Sequence, residues 1–241
     1  GGVMTAMELA DTILLRRGSV EDSPVRERRA QAVVRAAVET ELTKQQPRWI
    51  LRRFGNRYLI ADDQQGLGEE LATYAQDLGQ LASECALKQP LLNPQATIDK
   101  VRSVTAPETF VGLSTHRLLR LAAAASEQAA LSSRAEFYPR DMEASQALVL
   151  AQGALLGSRA LTVNEIQARV KGRYPAAKPL PGRPQLDELV RALDLGLDWD
   201  PNYEINQQKV GAYCLPNANL TEFSMIRTPS RMTMQGEMDM A

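Results

Sequence analysis

The sequence predicts a mainly α fold carrying two small β-hairpins, and three observations predict it. A Thr-x-x-Glu helix start occurs twice, as Thr5-Ala6-Met7-Glu8 and as Thr162-Val163-Asn164-Glu165. Each is followed by a helix that opens on proline, at Pro24 and Pro184, and then by a strand pair containing a tryptophan, Trp49 or Trp199. Aromatic residues make up 5% of the chain, which suits helices packed through Leu, Ala and Val better than an all-β sandwich. Helix, helix, hairpin is the order of a winged helix. The expected architecture is therefore tandem winged-helix-like modules, over 1–63 and 137–216, joined by a helical linker over 64–136 and followed by a disordered tail over 217–241.

The first helix is expected over about 5–17. Thr5 caps it while Glu8 reaches back to the cap, and Ala6, Leu9 and Ile13 share a face. Gly18-Ser19 stops it. Ser23-Pro24 restarts a helix, because proline at the first helical position lacks only an N–H that would be unpaired there anyway. Val25, Ala30, Val33, Val34, Ala37, Val38 and Leu42 recur at three and four, predicting an amphipathic helix laid on a core. Pro47 ends that approach. Two β-prone runs, 49–53 and 57–61, flank Gly55-Asn56 and predict a hairpin.

The linker is expected to be helical throughout. Leu67, Leu71, Tyr74, Leu78, Leu81 and Cys85 recur at helical spacing, and Asn93-Pro94 opens a second helix reaching Val104. A third, over about 114–132, carries Leu118, Leu119, Leu121, Ala122 and Ala125. In the second module a helix is expected over 142–156, with Ala147, Leu148, Leu150, Ala151 and Leu155 inward. A short strand at Ala160-Leu161 precedes the capped helix over 162–174, which turns Val163, Ile166 and Val170 inward. The helix opened by Pro184 carries Leu186, Leu189, Val190 and Leu193 up to Gly196, and takes the recognition-helix place. Strands 197–199 and 210–213 then pair across a longer turn.

Bulk composition narrows the function. Lys+Arg 28 against Asp+Glu 29 gives a net charge of −1, which counts against strong autonomous DNA binding, since phosphate neutralisation supplies most of that affinity. A local basic patch remains compatible with it. Cys85 and Cys214 lie far apart, form no metal-ligand spacing, and read as buried free thiols. No run approaches the ~20 uncharged apolar residues of a membrane span, and no signal peptide precedes Glu8 and Asp11, so a cytoplasmic location is expected. The chain opens on Gly1-Gly2-Val3 and reads as a piece of a longer protein.

No catalytic constellation stands out. Nucleophile elbows, phosphate-binding loops and kinase signatures are missing from the sequence, and no cofactor is expected. His116, the sole histidine, sits in a helix start without an Asp or Ser partner and reads as a first-turn surface residue. The strongest basic cluster is Arg48, Arg52, Arg53 and Arg57 on the first hairpin, interleaved with Trp49, Phe54 and Tyr58. It has three readings: a solvated strand face over a core of aromatics, a wing that neutralises phosphates of double-stranded DNA, or a protein-docking surface. On the second module Lys171, Arg173 and Arg183 are the candidate phosphate clamps. Lys171 and Arg173 equally complement the dipole at a helix C-terminus. Asp187, Glu188 and Asp194 share the presumed recognition helix and oppose base reading by it.

Several collinear runs carry a resemblance. They include 27–39, Arg117-Leu118-Leu119-Arg120-Leu121 with the alanines that follow, and Ser132-Ser133-Arg134-Ala135-Glu136-Phe137-Tyr138-Pro139. Residues 153–157, 168–170, Arg173-Tyr174-Pro175, 180–184 and Leu186-Asp187 continue the series. In this order they resemble the region that follows the kinase domain in the large serine/threonine protein kinase of type 2 BREX (phage growth limitation) systems, over roughly residues 5 to 216. The resemblance implies a non-catalytic part of a bacterial phage-defence kinase, working beside a methyltransferase, an ATPase and a phosphatase-like component. The kinase lobe itself, with its ATP-binding lysine and catalytic aspartate, has no counterpart here, so no kinase site residue carries over. The expected function is a DNA-binding or assembly region of such a kinase. A scaffold docking other phage-defence proteins and a standalone winged-helix transcription regulator are the alternatives.

Overall fold

The computed structural model describes residues 3–18, 24–47, 49–55, 57–62, 66–108, 113–155 and 158–215. The fold is mainly α with small antiparallel strand sets. The chain runs β1 (Val3–Thr5), α1 (Ala6–Arg16), α2 (Pro24–Leu42), β2 (Trp49–Phe54) and β3 (Arg57–Asp62). Helices α3 (Gly68–Lys88), α4 (Pro94–Arg102) and α5 (Thr115–Ala124) follow, then strands β4 (Ala129–Leu131) and β5 (Phe137–Pro139). Next come α6 (Ala144–Leu150), α7 (Gln152–Leu155), β6 (Ala160–Leu161), α8 (Val163–Arg173) and α9 (Gln185–Ala192). Strands β7 (Asp198–Asp200), β8 (Glu204–Ile205), β9 (Gln208–Lys209) and β10 (Ala212–Cys214) complete it. The expected tail over 217–241 lies outside the described residues.

Both Thr-x-x-Glu signatures form capping boxes. The Thr5 hydroxyl accepts from the Glu8 N–H at 3.1 Å while the Glu8 carboxylate accepts from the Thr5 N–H at 3.0 Å. The Thr162–Glu165 pair does the same at 3.3 and 2.7 Å. Strand order repeats as well. The sheet of the first half runs β1-β3-β2 and that of the second β6-β10-β7, so each strand before the helix pair joins the last strand of its own hairpin.

Strand β3 lies between two layers. Leu59, Ile60 and Ala61 are all buried, against the usual alternation, because Leu59 and Ala61 face the central cluster of α3 and α5 while Ile60 meets α1 and α2. The central cluster is built on α3, whose Ala72, Ala75, Leu78 and Ala82 are fully covered. A Cβ at Gly79 would overlap the Ala125 carbonyl, so glycine lets α3 approach the end of α5. A second cluster, with Tyr138, Leu148, Ile166, Tyr174, Leu186 and Tyr213 inside, closes the other half.

Four expectations are corrected. Helix α5 ends at Ala124, and 129–131 is instead a buried strand paired with 137–139; Ser126 breaks the Ala-rich run by taking the Ala129 N–H on its hydroxyl at 2.9 Å. Helix 142–156 is interrupted at Ala151, and Leu150 is exposed. The apolar stripe of α2 divides: Val34 and Val38 are buried, whereas Val25, Val33 and Leu42 are 57, 67 and 51% exposed. Consecutive helical residues lie about 100° apart, so Val33 and Val34 do not share a face, and a 19-residue helix overhangs its 11-residue partner α1. The turn of the last hairpin holds its own strand pair, β8–β9. Cys85 is buried and Cys214 half-buried, both as free thiols.

Candidate functional site

Strand geometry sorts the arginines of the first hairpin. Side chains alternate, so Ile50, Arg52 and Phe54 face α3, while Trp49, Leu51 and Arg53 face the α1–α2 pair. Arg52 accordingly pairs with Glu69 at the start of α3. Arg53 donates from Nε to the Gly55 carbonyl at 2.8 Å and lies 5.9 Å over the Tyr58 ring. Arg57 reaches the turn after α5, donating to the Ala123 carbonyl at 2.8 Å and to that of Ser126. Burial, reinforced by the nearby Arg140 cation, lowers its pKa to about 10, with Glu127 opposing. The tip is tied down too, since the Gly55 N–H donates to Glu127 at 2.9 Å. Arg48 lies outside the described residues.

In the second half Lys171 is exposed and makes no ion pair among the described residues. Arg173 pairs with Glu136 at 3.1 Å, both side chains 14% exposed, and its carbonyl accepts from the Ser133 N–H. It therefore fastens the end of α8 to the β4–β5 turn. Arg183 donates from Nε to both Asp187 oxygens at 2.9 Å and stacks 3.7 Å above the Trp199 ring. Asp187 also accepts from the Tyr213 hydroxyl at 2.5 Å. The Arg183 hydrogen bond holds the Asp187 carboxyl below its ordinary value, while burial and then Asp187 push the Tyr213 hydroxyl up. Gly211, at φ +66°, leaves room for Trp199, which a Cβ there would strike. A cavity of about 280 Å³ lies beside this cluster and includes Arg191 and Asp194.

The six described candidates are spread over β2, β3, α8 and the approach to α9. Their described arginines are engaged with carboxylates, carbonyls or rings. The structure instead exposes Arg28 and Arg29 on α2, neither with an ion pair among the described residues. Their signal was visible as a doublet in the helix after the first capping box, where a charged face is also what an ordinary amphipathic helix shows. Arg140, which meets Arg57 at the end of α5, had no sequence signal at all; proximity across 83 positions is a property of the fold. No group of His, Cys, Asp and Glu among the described residues is placed to hold a metal ion. No helix among them is long and apolar enough to cross a membrane.

No family model and no solved structure matches the chain. It is similar to the probable kinase PglW of Streptomyces coelicolor, 29% identical over 202 residues. That alignment takes in 73% of this chain and 13% of the Streptomyces protein. The chain thus spans a small part of the length of the relative it matches.

Proposed function

We propose that this chain is a non-catalytic assembly region of a bacterial phage-defence serine/threonine kinase acting in the cytoplasm. Two winged-helix-like modules, 1–63 and 137–216, dock other components of the defence system through apolar and mixed-charge faces. The mainly helical segment 64–136, which ends in β4, braces them. Similarity to a probable kinase supports the kinase context. The repeated strand order, in which the strand before the helix pair joins the end of the hairpin, supports the modules.

The observation that carries docking over DNA gripping is the engagement of the basic residues. Arg52, Arg173 and Arg183 already hold carboxylates. Each neighbouring carboxylate offsets the positive charge a phosphate would meet, which reduces the gain of that contact. Meanwhile α2 leaves Val25, Val33 and Leu42 in solvent among charges of both signs.

Duplex DNA is the second reading. Arg28 and Arg29 favour it, standing on the helix that a winged helix would lay in the major groove, with Lys171 as a further free cation. A salt series of duplex-DNA binding separates the two. Phosphate contacts predict affinity that falls steeply with salt. Assembly predicts little DNA binding at any salt, and co-elution of the chain with a methyltransferase, ATPase or phosphatase-like component when they are expressed together. Tight, salt-sensitive DNA binding without co-elution would reverse the preference.

A further inference from the structure

A cleft of about 620 Å³ opens where the first helix pair, α5 and the β4–β5 hairpin meet. Its size falls in the range of small-ligand sites, roughly 300–1,000 Å³. Five basic side chains line it: Arg35, Arg57, His116, Arg120 and Arg140. The lining holds one carboxylate, Glu8, and that group is spent on the Thr5 capping box. Apart from Thr5 and Gln31 the remaining wall is apolar, with Tyr58, Leu131 and Pro175 offering flat or broad surfaces.

Two of the guanidinium groups are brought together by one acceptor. Arg57 and Arg140 donate to the same Ala123 carbonyl, at 2.8 and 3.2 Å, and Arg140 also donates to Ala129 at 2.6 Å. The carbonyls at the end of α5 account for part of this pairing, since cations favour helix C-termini. They do not account for all of it. The Arg140 Nε is buried without a hydrogen-bond partner, the only such side-chain atom among the described residues. Glu127 and Asp141 are the carboxylates that act on the pair, Glu127 on Arg57 and Asp141 on Arg140, yet both guanidinium groups remain shifted downward by burial. On α5, His116 and Arg120 stand one turn apart and exposed, and Arg35 of α2, paired with Glu39 at 3.4 Å, lines the cleft with them.

We propose that this cleft binds a nucleotide, with its phosphoryl group among Arg57, Arg120 and Arg140 and its base against Tyr58, Leu131 and Pro175. A phosphoryl group supplies the several acceptor oxygens that a set of guanidinium forks lining one cleft requires. An apolar wall beside a cationic end matches a molecule with one flat face and one anionic end. Such a ligand would touch α1, α5 and the Pro175-Ala176 turn together, and so link the two halves of the chain. The proposal is independent of whether the outer faces dock protein or DNA.

Isothermal titration of the whole chain with AMP, GMP, CMP and UMP tests it, with the corresponding nucleosides and inorganic phosphate as separate arms. At least one nucleotide is expected to bind with a Kd below about 1 mM, and its nucleoside and free phosphate each at least about tenfold more weakly. Arg120→Glu, at an exposed position, should weaken the nucleotide at least about tenfold without changing the thermal midpoint of the free chain. Arg140→Met should do the same and is scored by circular dichroism for folding; if it unfolds, the Arg120 variant alone decides. Failure of all four nucleotides to bind in that range overturns the proposal, and so does an Arg120→Glu affinity equal to that of the parent. A nucleoside binding as tightly as its nucleotide removes the phosphoryl half, and free phosphate binding as tightly removes the base half; either overturns it.

Discussion

The two helix–helix–hairpin halves share a capping box and a strand order, yet they bury corresponding residues differently. After the second box, Ile166 and Val170 are 0 and 3% exposed. At the same places after the first, Leu9 and Ile13 are only partly covered. The second half brings its own lid, since α6 and α7 supply Ala147, Leu148, Ala151 and Leu155 to the cluster around α8 and α9. The first half has no such segment over α1 and α2 among the described residues. It rests on the rest of the chain through the other face of its sheet, where Leu59 and Ala61 meet α3 and α5. The hairpins differ in the same sense. The tip of the first is tied to Glu127 and to the end of α5, while the β8–β9 tip of the second is exposed, with Ile205 and Val210 in solvent. A repeated signature therefore fixes local conformation; what covers the resulting element decides whether it is a core or a surface.

The largest test of this contrast is a matched pair of truncations. Ile166→Ala should destabilise by about 2–5 kcal/mol, because a fully enclosed side chain leaves a cavity that its neighbours cannot fill. Leu9→Ala, at the matching place, should cost about 1–2 kcal/mol, since part of its surface is already in water. Urea denaturation of both variants gives the comparison. Equal losses would mean that the two halves are equally enclosed.

Next in size is the tie that holds the first hairpin. Arg57→Ala removes two hydrogen bonds to carbonyls, leaving that of Ser126 without its donor while Arg140 still serves that of Ala123. A loss of about 1–3 kcal/mol is expected. Amide exchange should quicken through β2 and β3 and leave β7 and β10 unchanged. Uniform quickening across both hairpins would show that the two halves unfold as one unit and that the tie is not local.

The parts of this pattern legible in the sequence were the local ones. Thr5 and Thr162 announced their helices through Glu8 and Glu165, and Pro24 marked the start of α2 at the residue where the structure begins it. Gly55-Asn56 marked a turn whose flanks pair in register from Trp49↔Asp62 to Phe54↔Arg57. The misreadings came from tertiary context. Residues 129–131 continue an alanine-rich helical run, and only their burial against Phe137 and Tyr138 makes them a strand. Val33 fits a stripe at helical spacing, but nothing in the sequence says that no element covers it. The partners of the basic residues are hidden from the sequence for the same reason. Arg52 and Glu69, or Arg173 and Glu136, are too far apart in sequence for their pairing to be read from spacing, so they registered as free positive charge.

A smaller effect separates caps from packing. Thr5→Ala and Thr162→Ala each delete a hydroxyl that accepts an N–H at the first turn and should each cost about 1 kcal/mol. Because the boxes have the same geometry, the two losses should agree within about 0.5 kcal/mol even though the cores behind them differ. Thermal or urea unfolding of the two variants measures it. A Thr162 loss several times that of Thr5 would show that the caps are coupled to the packing behind them, and the division between local signature and tertiary cover would not hold.

The subtlest contrast is in acid. Asp187 is held by Arg183 and Tyr213, and its carboxyl is lowered from the ordinary 3.8. A carboxyl whose folded pKa lies below its unfolded value binds protons more readily when unfolded, so stability falls as pH falls between those two values. Its contribution is full above about pH 4 and is lost on passing down through the lowered value. Asp187→Asn keeps an acceptor for the Tyr213 hydroxyl but cannot titrate. The stability gap between parent and variant should be widest near pH 6 and narrow toward about pH 3. The first hairpin offers no such group at its inner tie, because Arg57 is held by carbonyls and its own lowered pKa, about 10, lies far above this range. The corresponding gap for Arg57→Ala should therefore stay constant over the same interval. A gap that narrows for Arg57→Ala as it does for Asp187→Asn would mean that Glu127, and not the two carbonyls, is the partner that holds the first hairpin in place.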